Sequence, residues 1–261
     1  MSDSLFVEER RQRILDQLER IGRVAVKDLS EQLGVSTVTI RQDLRALEEM
    51  GLLDRTYGGA IRREEGRSAE LSFHVRQRRQ VAEKEAIARA AFATIREGWS
   101  IALDGSTSCY ALVKHLKTLS QLTVVTNSLM IAQSFLDSPQ IQVLIAGGRL
   151  RRDSISTVDN PESLPSINLN MGFFGAHGIT WANGITDVGA DEVAVKQAMI
   201  ARCVATTILA DGSKWGEVAP YTYIQPLQVS TIITDNSAPT AMVDHFRAQG
   251  VNVQVVRLQD L

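Results

Sequence analysis

Gly34 stands between two short amphipathic segments, and this break constrains how the first part of the chain can fold. A glycine tolerates the positive φ that a tight turn between two helices requires. After the turn, Ile40, Leu44 and Leu47 recur at i, i+4 and i+7, the spacing of one buried helix face. Val38 is a further apolar candidate. The pattern predicts the turn and second helix of a helix-turn-helix.

The other positions of this helix carry the groups that bind nucleic acid. Hydroxyl, amide and guanidinium side chains read base edges and phosphates. We expect DNA contacts from this helix, which Ser36 is placed to cap, and from a β-hairpin wing around Tyr57. The candidate DNA-binding residues are Ser36, Thr37, Thr39, Arg41, Gln42, Arg45, Arg55, Tyr57 and Gly58.

Net charge does not identify a DNA-binding surface. Residues 1–63 contain eleven Lys and Arg against eleven Asp and Glu, so a basic patch must come from local arrangement. Arg10, Arg11 and Arg13 cluster on a predicted first helix, where they could contact phosphates or form a solvated face. Because helix-glycine-helix patterns also occur in all-α domains that do not bind DNA, the pattern alone leaves a plain helical module open.

Beyond Val81, continuous apolar runs alternate with helical stretches. Strands are predicted over residues 101–103, 122–125, 141–146, 172–174, 206–210, 230–234 and 251–256. Apolar strands separated by helices are typical of a doubly wound, mostly parallel sheet covered on both faces. The predicted fold class is therefore α/β with an N-terminal winged helix-turn-helix. The expected domains are 1–61 for DNA binding, 62–80 as a linker and 81–261 for effector binding and oligomerisation.

Composition excludes several classes of protein. The chain has no apolar run of 18 residues, so no membrane span is predicted, and its polar start lacks a signal-peptide core. Cys109 and Cys203 lack metal-ligand spacing and are expected to be free thiols in a reducing cytoplasm. The four histidines form no cluster. We expect no metal, no cofactor and no catalytic residue.

The end of the first predicted strand carries the most chemistry. Asp104, Gly105, Ser106, Thr107 and Ser108 lie between a strand and a helix. Hydroxyls and free N–H groups at a helix N-terminus form a cradle for an anion such as phosphate. Serine and threonine also cap helices where no ligand binds, and that reading stays open. The spacing is neither that of a Walker loop nor that of a hydrolase nucleophile elbow.

Two lysines are further candidates at the ligand edge of the sheet. Lys214 follows a strand in the run Asp211-Gly212-Ser213-Lys214, where its charge could bind a phosphate or carboxylate. Asp211 and Ser213 could orient it or bind sugar hydroxyls. Lys196 lies one helical turn from Glu192, so an ordinary i,i+4 ion pair is the alternative interpretation.

The helix-turn-helix resembles the DNA-binding domain of the DeoR family of bacterial transcriptional regulators. The resemblance rests on Thr39-Ile40-Arg41-Gln42-Asp43-Leu44, Leu47-Glu48, Gly51-Leu52 and Gly58-Gly59-Ala60. Two departures are visible, because the family commonly has arginine where this chain has Gln42 and histidine where it has Tyr57. Gln42 can still pair with adenine.

The second part resembles the DeoR effector domain, which is similar in fold to ribose-5-phosphate isomerase A. The resemblance implies a phosphate loop at Asp104 to Ser108. It also implies ligand-edge positions at Asn127, Gly147, Gly148, Arg149, His177, Lys196, Asp211, Ser213 and Lys214. Family members often have an acidic residue where this chain has His177. That histidine implies altered ligand contacts and weakens a case for isomerisation, and a structural role for it is equally open.

Three functions are compatible with these features. The first is a DNA-binding regulator, usually a repressor of a carbohydrate operon, controlled by a phosphorylated sugar or related anion. The second is a sugar-phosphate isomerase with an accessory DNA-binding domain. The third is a helix-turn-helix protein whose α/β part only oligomerises. The resemblance favours the first, as a homodimer or homotetramer on double-stranded operator DNA in the cytoplasm.

Overall fold

The computed structural model describes residues 7–50, 52–61 and 73–258, without the side chains of Glu49 and Asp54. The chain divides into two compact units, Met1–Arg76 and Gln77–Leu261. Gly51, expected to end the DNA-reading helix, lies outside the described residues, as does the 62–72 part of the expected linker. Residues 73–78 of that linker form a helix, α4 (Phe73–Arg78).

The first unit is a winged helix-turn-helix. Its helices are α1 (Val7–Ile21), α2 (Val26–Leu33) and α3 (Thr37–Glu49), and its strands are β1 (Arg23–Ala25), β2 (Asp54–Thr56) and β3 (Gly59–Ile61). The strands form an antiparallel sheet in the order β1-β3-β2, in which β2 and β3 make the hairpin wing. The predicted winged helix is confirmed.

Local chemistry explains the turn and the wing. Gly34 ends α2 with a φ of 67°, a left-handed conformation that glycine adopts without steric cost. Ser36 caps α3, since its Oγ accepts a hydrogen bond from the backbone N–H of Thr39 at 3.1 Å. A Cβ atom on Gly59 would lie 1.9 Å from the carbonyl oxygen of Val24. Only glycine therefore lets β3 pair with β1 so closely.

The core of this unit forms on the predicted helix face. Ile40, Leu44 and Leu47 are buried and pack with Ile14, Leu18 and Leu29 from α1 and α2. Val38, the apolar candidate outside that stripe, is 59% exposed. At about 100° per residue, Val38 points away from the buried stripe.

The basic cluster of α1 is partly internal. The Nε atoms of Arg10 and Arg11 lie 2.6 and 2.9 Å from the two carboxylate oxygens of Asp43 on α3. Arg10 and Asp43 are both buried. Arg13 instead pairs with Glu9 on its own exposed helix face. Arg10 is therefore neither a solvated residue nor a free phosphate contact, because its charge holds α1 against α3.

The second unit alternates strands and helices as predicted. Its elements, in chain order after α4, are α5 (Val81–Phe92), β4 (Ser100–Leu103), α6 (Thr107–Leu116), β5 (Leu122–Thr126), α7 (Leu129–Ser134), β6 (Ile141–Ile145), β7 (Arg149–Arg151), β8 (Ser156–Val158), β9 (Leu169–Gly175), β10 (Gly178–Thr180), β11 (Gly184–Asp187), α8 (Ala190–Ile200), β12 (Cys203–Leu209), β13 (Tyr221–Ile224), β14 (Thr231–Asp235), α9 (Thr240–Ala248) and β15 (Val253–Val256).

One parallel sheet of seven strands forms the centre of this unit, in the order β15-β14-β12-β9-β4-β5-β6. The seven predicted strands correspond to these seven. The chain runs outward from β4 through β5 to β6, and then outward the other way from β9 to β15. The strand order therefore reverses between β4 and β9, and ligands of open α/β sheets bind at the carboxyl ends beside such a reversal.

Alternate strand residues pack against helices on opposite faces. Ile101 and Phe173 belong to a core with α5, α6 and α7, whereas their neighbours Ala102 and Phe174 pack with α8 and α9. This accounts for the continuous apolar runs in the sequence, because both faces of each strand are covered. In the part of the chain that the structure describes, no helix has the length and apolar character needed to cross a membrane.

The buried Asp43 ion pair generates a stability prediction. Replacing Asp43 by alanine removes the carboxylate that pairs with the buried Arg10 guanidinium, a change that typically costs about 3–5 kcal/mol. We expect the free energy of unfolding of the first unit to fall by about this amount in urea titrations followed by circular dichroism. Glu9→Ala breaks an exposed ion pair on the same helix and should cost less than about 1 kcal/mol. Equal effects of the two variants would contradict this role.

Candidate functional site

The carboxyl ends of β4 and β9 are joined by one buried carboxylate. Asp104 Oδ2 accepts a hydrogen bond from the Gly175 N–H at 2.9 Å, and Asp104 Oδ1 accepts one from the Ser106 N–H at 3.0 Å. A Cβ atom on Gly175 would lie 2.4 Å from Ser106 Cβ. Glycine is therefore required where β9 ends against the loop after β4. Asp104 is fully buried, so it shapes this loop rather than facing solvent.

Lys196 lies beneath this junction. Its Nζ is 2.8 Å from Asp104 Oδ2, contacts the Asp187 carboxylate and donates to the Gly175 carbonyl oxygen at 3.1 Å. The ammonium group also lies 4.8 Å from the centre of the Tyr223 ring. Its ion pairs are thus with residues distant in sequence, not the i,i+4 pair with Glu192. We call Asp104, Asp187, Lys196 and Tyr223 the buried charge network.

Mutual attraction fixes the charge states of this network. Burial alone would raise the pKa of Asp187, but attraction to Lys196 and a hydrogen bond from His177 together hold that pKa far below its usual range. Burial alone would lower the pKa of Lys196, but Asp104 and Asp187 raise it well above its usual value. Asp187 and Lys196 therefore stay ionised at neutral pH.

His177 borders the same network. Its Nδ1 lies 2.7 Å from Asp187 Oδ1, and the side chain is 23% exposed. The ring is therefore held by a carboxylate on one side, which agrees with the structural role left open above. Tyr223 closes the network, because its hydroxyl donates to the Gly175 carbonyl at 2.7 Å. Burial raises the pKa of Tyr223 well above its usual value, so the hydroxyl stays protonated.

The loop after β4 is a helix N-terminus. Ser106 Oγ accepts a hydrogen bond from the Cys109 N–H at 3.2 Å and so caps α6. Thr107 and Ser108 are mostly buried. The N-terminus of α6 nonetheless follows the carboxyl end of β4 directly, at the edge where ligands of open α/β sheets bind. Burial raises the pKa of the Cys109 thiol, which donates to the Phe173 carbonyl and stays neutral.

A buried polar cluster lies behind Gly105. Asn127 Nδ2 donates to the Thr157 carbonyl at 3.0 Å, whereas Asn127 Oδ1 is buried and has no hydrogen-bond partner among the residues that the structure describes. A Cβ atom on Gly105 would lie 3.3 Å from Ser156 Cβ, and Ser156 donates to Glu192 Oε1 at 3.1 Å. Buried acceptors normally have donors. Asn127 is thus the least satisfied polar group beside the loop.

Gly147, Gly148 and Arg149 occupy the turn into β7. Gly148 has a φ of 144°, and a Cβ atom there would lie 2.2 Å from the Val158 carbonyl oxygen, so this glycine is structurally required. The Arg149 guanidinium lies 2.6 Å from an Asp159 oxygen and 3.1 Å from an Asp191 oxygen. Arg149 is therefore engaged by carboxylates of the protein and is exposed.

The loop after β12 presents Lys214. Asp211 is buried and caps a short 3₁₀ helix (Gly212–Lys214), because its carboxylate accepts hydrogen bonds from the N–H and hydroxyl of Ser213. Lys214 is half-buried. Since β12 is two strands from β4 and strands lie about 4.8 Å apart, the two loops are separated by roughly 10 Å.

Sequence reasoning missed four residues that shape this edge: Asp187, Tyr223, Ser156 and Glu192. Asp187 is the last residue of the short run Gly184 to Asp187, which precedes a helical stretch. This position could have identified Asp187 as the end of a strand. No local pattern marked Tyr223. Both reach the network from the small antiparallel sheet β10-β11-β13.

A cavity of about 330 Å³ lies between α5 and α6 and meets this edge at the first residue of α6. Of the predicted effector residues, only Thr107 lines it. Its lysines are already engaged, because Lys84 donates to the Arg79 carbonyl and Lys114 pairs with Glu85. Among the described residues, no group of three or more His, Cys, Asp or Glu side chains could hold a metal ion.

Most of the predicted DNA-binding residues are exposed on α3 and on the wing of the first unit. Arg41, Gln42 and Arg45 are exposed on α3. Tyr57 is fully exposed at the tip of the wing. Arg55, at the base of the wing, pairs with Glu48 of α3 at 3.5 Å. Gly58 is exposed and supports the wing, since its carbonyl accepts from the Val26 N–H. Thr37 and Thr39 are half-buried in the first turn of α3.

The charge network predicts an unusual pH dependence for a Lys196 variant. Lys196→Met removes the cation that pairs with buried Asp104 and Asp187, so the pKa of the Asp187 carboxyl should rise above the unfolded value of about 4. A raised carboxyl pKa costs stability as the pH rises through it. We expect a loss of about 3–5 kcal/mol at pH 7, partly recovered at pH 5, in urea titrations.

The wild-type chain should behave differently. The depressed pKa of Asp187 contributes stability above about pH 4 and loses it only as the pH falls further. Its contribution is therefore constant between pH 5 and 7. Lys117→Met, at an exposed pair with Asp137, should cost less than about 1 kcal/mol at either pH. A Lys196→Met variant with the wild-type pH profile would rule out the network as described.

Known proteins resemble this chain over both units. A profile described as DeoR-like helix-turn-helix domain matches residues 10–65, and one described as DeoR C terminal sensor domain matches residues 79–236. The chain is 31% identical to the HTH-type transcriptional regulator GolR of Listeria innocua, over 96% of this chain and 99% of that protein. It is 32% identical to the HTH-type transcriptional repressor GlcR of Bacillus subtilis, over 96% and 97%.

One further relative is named an activator, and a solved enzyme structure is only distantly similar. The L-fucose operon activator of Escherichia coli is 33% identical, over 87% of this chain and 94% of that protein. Ribose 5-phosphate isomerase A of Methanocaldococcus jannaschii gives a TM-score of 0.38 at 14% identity, covering 51% of this chain and 53% of that one. The two family profiles and the curated relatives decide against the isomerase and oligomerisation-only hypotheses. The chain belongs to the DeoR family of transcriptional regulators, with a DNA-binding helix-turn-helix and a sensor domain, and is not an enzyme.

Proposed function

We propose that this regulator represses a carbohydrate-utilisation operon and is released from its operator by a phosphorylated sugar or a related anion. The observation that carries the proposal is the sheet edge at the β4–β9 reversal, where the N-terminus of α6 and the Lys214 loop face the same end. Because the same chain carries a helix-turn-helix, a ligand bound at this edge could regulate DNA binding. The relative named as an L-fucose operon activator supports a sugar-linked role, and the relative named as the transcriptional repressor GlcR supports repression.

The size and charge of the edge fit a sugar phosphate. The N–H groups of α6, after Ser106, suit a phosphate group because a helix N-terminus carries partial positive charge. Lys214 lies roughly 10 Å away across two strands, a span that suits a phosphorylated sugar. Asn127, with its unsatisfied buried oxygen, and His177 border the space between. Asp104 and Lys196 hold the loops rather than bind the ligand.

The proposed mechanism couples this edge to the operator. Two or more copies of the chain place α3 in successive major grooves of paired half-sites, the geometry of symmetric helix-turn-helix dimers. A sugar phosphate changes DNA affinity only if it binds one arrangement of the subunits more tightly than another. The proposal includes a homodimer or homotetramer acting in the cytoplasm.

Arg41 tests the DNA-binding surface. Arg41→Ala removes an exposed guanidinium from α3 that can contact a guanine or a phosphate, interactions worth about 1–3 kcal/mol. We expect operator affinity to fall about ten-fold in gel-shift titrations, using duplexes selected from a random pool with the wild-type chain. Arg96→Ala changes an exposed arginine of the second unit and should leave affinity unchanged. Undiminished binding by Arg41→Ala would refute its assignment.

Lys214 tests the effector edge. Sugar phosphates are first screened for a rise in melting temperature of the wild-type chain, because a ligand stabilises the state that it binds. For a sugar phosphate that also releases operator DNA, Lys214→Ala should bind DNA normally and lose the release at least ten-fold. Lys117→Ala, at the opposite end of α6, should respond like wild type. A normal response of Lys214→Ala would exclude this lysine from the site.

The sign of regulation is tested separately. One relative is named an activator and another a repressor. In-vitro transcription from a promoter carrying the selected operator should decrease when the chain is added and recover with the sugar phosphate. An increase on adding the chain would replace repression by activation while leaving the two sites unaffected.

A further inference from the structure

Val38 is an apolar residue in the middle of a polar, DNA-reading surface. It is 59% exposed, although the core of the first unit takes every other large aliphatic residue of α3. Valine is a poorer helix former than alanine or the straight-chain residues. Neither burial nor helix propensity accounts for valine at this position.

The geometry of α3 places Val38 at the centre of the outward face. At about 100° per residue, Val38 and Gln42 lie within roughly 30° of the direction opposite the buried residues. Those buried residues are Ile40, Leu44 and Leu47. Arg45 lies beside Val38 and Gln42 on the outward face. The residue that enters deepest when α3 faces a groove is therefore apolar.

The major groove offers one apolar group to such a residue. Each base pair presents hydrogen-bond donors and acceptors there, and the C5 methyl of thymine is the exception. A valine side chain has no hydrogen-bonding capacity and would desolvate a donor or acceptor without replacing its hydrogen bond. We propose that Val38 reads a thymine methyl in each operator half-site. This inference rests on the proposed entry of α3 into the major groove.

Gln42 extends the same contact. It lies at i+4 from Val38, and such residues have Cβ atoms about 6 Å apart on one helix face. That distance spans one to two base-pair steps, so Gln42 faces a base pair close to the thymine. A glutamine amide pairs with the N6 and N7 groups of adenine. Val38 and Gln42 together therefore select a short A·T-containing step.

Methyl deletion in the DNA tests Val38 directly. Operators are selected from a random duplex pool with the full chain, and each thymine is then replaced in turn by deoxyuridine, which pairs alike but lacks the methyl. Because burying one methyl changes affinity about four-fold, one thymine per half-site should show a loss of this size with wild type. Val38→Ala should bind the thymine and uracil duplexes equally.

Two further variants control the test. Arg41→Ala should weaken both duplexes by the same factor and keep the wild-type thymine-to-uracil ratio. Val38→Thr preserves the side-chain shape, replaces one methyl by a hydroxyl and should reduce the thymine-to-uracil affinity ratio. If Val38→Ala has a lowered melting temperature, Val38→Thr replaces it in the test.

The outcomes separate the inference from the proposed function. Failure of the wild-type chain to enrich any duplex would overturn DNA reading by α3 and the thymine contact with it. A selected operator without a methyl-sensitive thymine would overturn the thymine contact alone. So would methyl sensitivity that persists unchanged in Val38→Ala and Val38→Thr, because another residue would then read the methyl.

Discussion

One buried ammonium group holds together the strand ends beside the β4–β9 reversal in the second unit. Lys196 of α8 binds carboxylates at the ends of β4 and β11 and the carbonyl at the end of β9. Removing such an ion from water costs several kcal/mol, so it is retained only where carboxylates and hydrogen bonds surround it closely. The strand ends cannot separate without exposing or orphaning these charges. The loops that face a ligand are therefore built on a rigid base.

The same network explains why this edge suits binding better than catalysis. Proton transfer needs a group whose pKa lies near the working pH. Asp187 is held ionised, while Tyr223 and Cys109 are held protonated, all by burial and by their neighbours. In the proposed site, the N–H donors of α6 and the Lys214 ammonium would bind and orient an anion. That role agrees with the sensor domain of the family to which the chain belongs.

The sequence predicted what depends on local periodicity. The seven parallel strands, the winged helix and the capping serines all follow from apolar runs, turn residues and helix caps. It could not predict contacts between residues distant in the chain. Lys196 has Glu192 within one turn but pairs with Asp104 and Asp187. Hydropathy marked Val38 as apolar, whereas its 59% exposure follows from its position outside the buried stripe of α3. The ligand and DNA contacts themselves stay predictions.

The Arg10–Asp43 ion pair bears on how a domain without net charge can approach DNA. Asp43 sits within the reading helix, where an exposed carboxylate would repel the phosphates on either side of the groove. Burying it against Arg10 and Arg11 removes that repulsion from the outward surface. As a consequence, the Arg10 guanidinium is not available to neutralise a phosphate and release a counterion from the duplex. The proposed operator binding would then depend less on phosphate neutralisation by α1 and more on base contacts from α3.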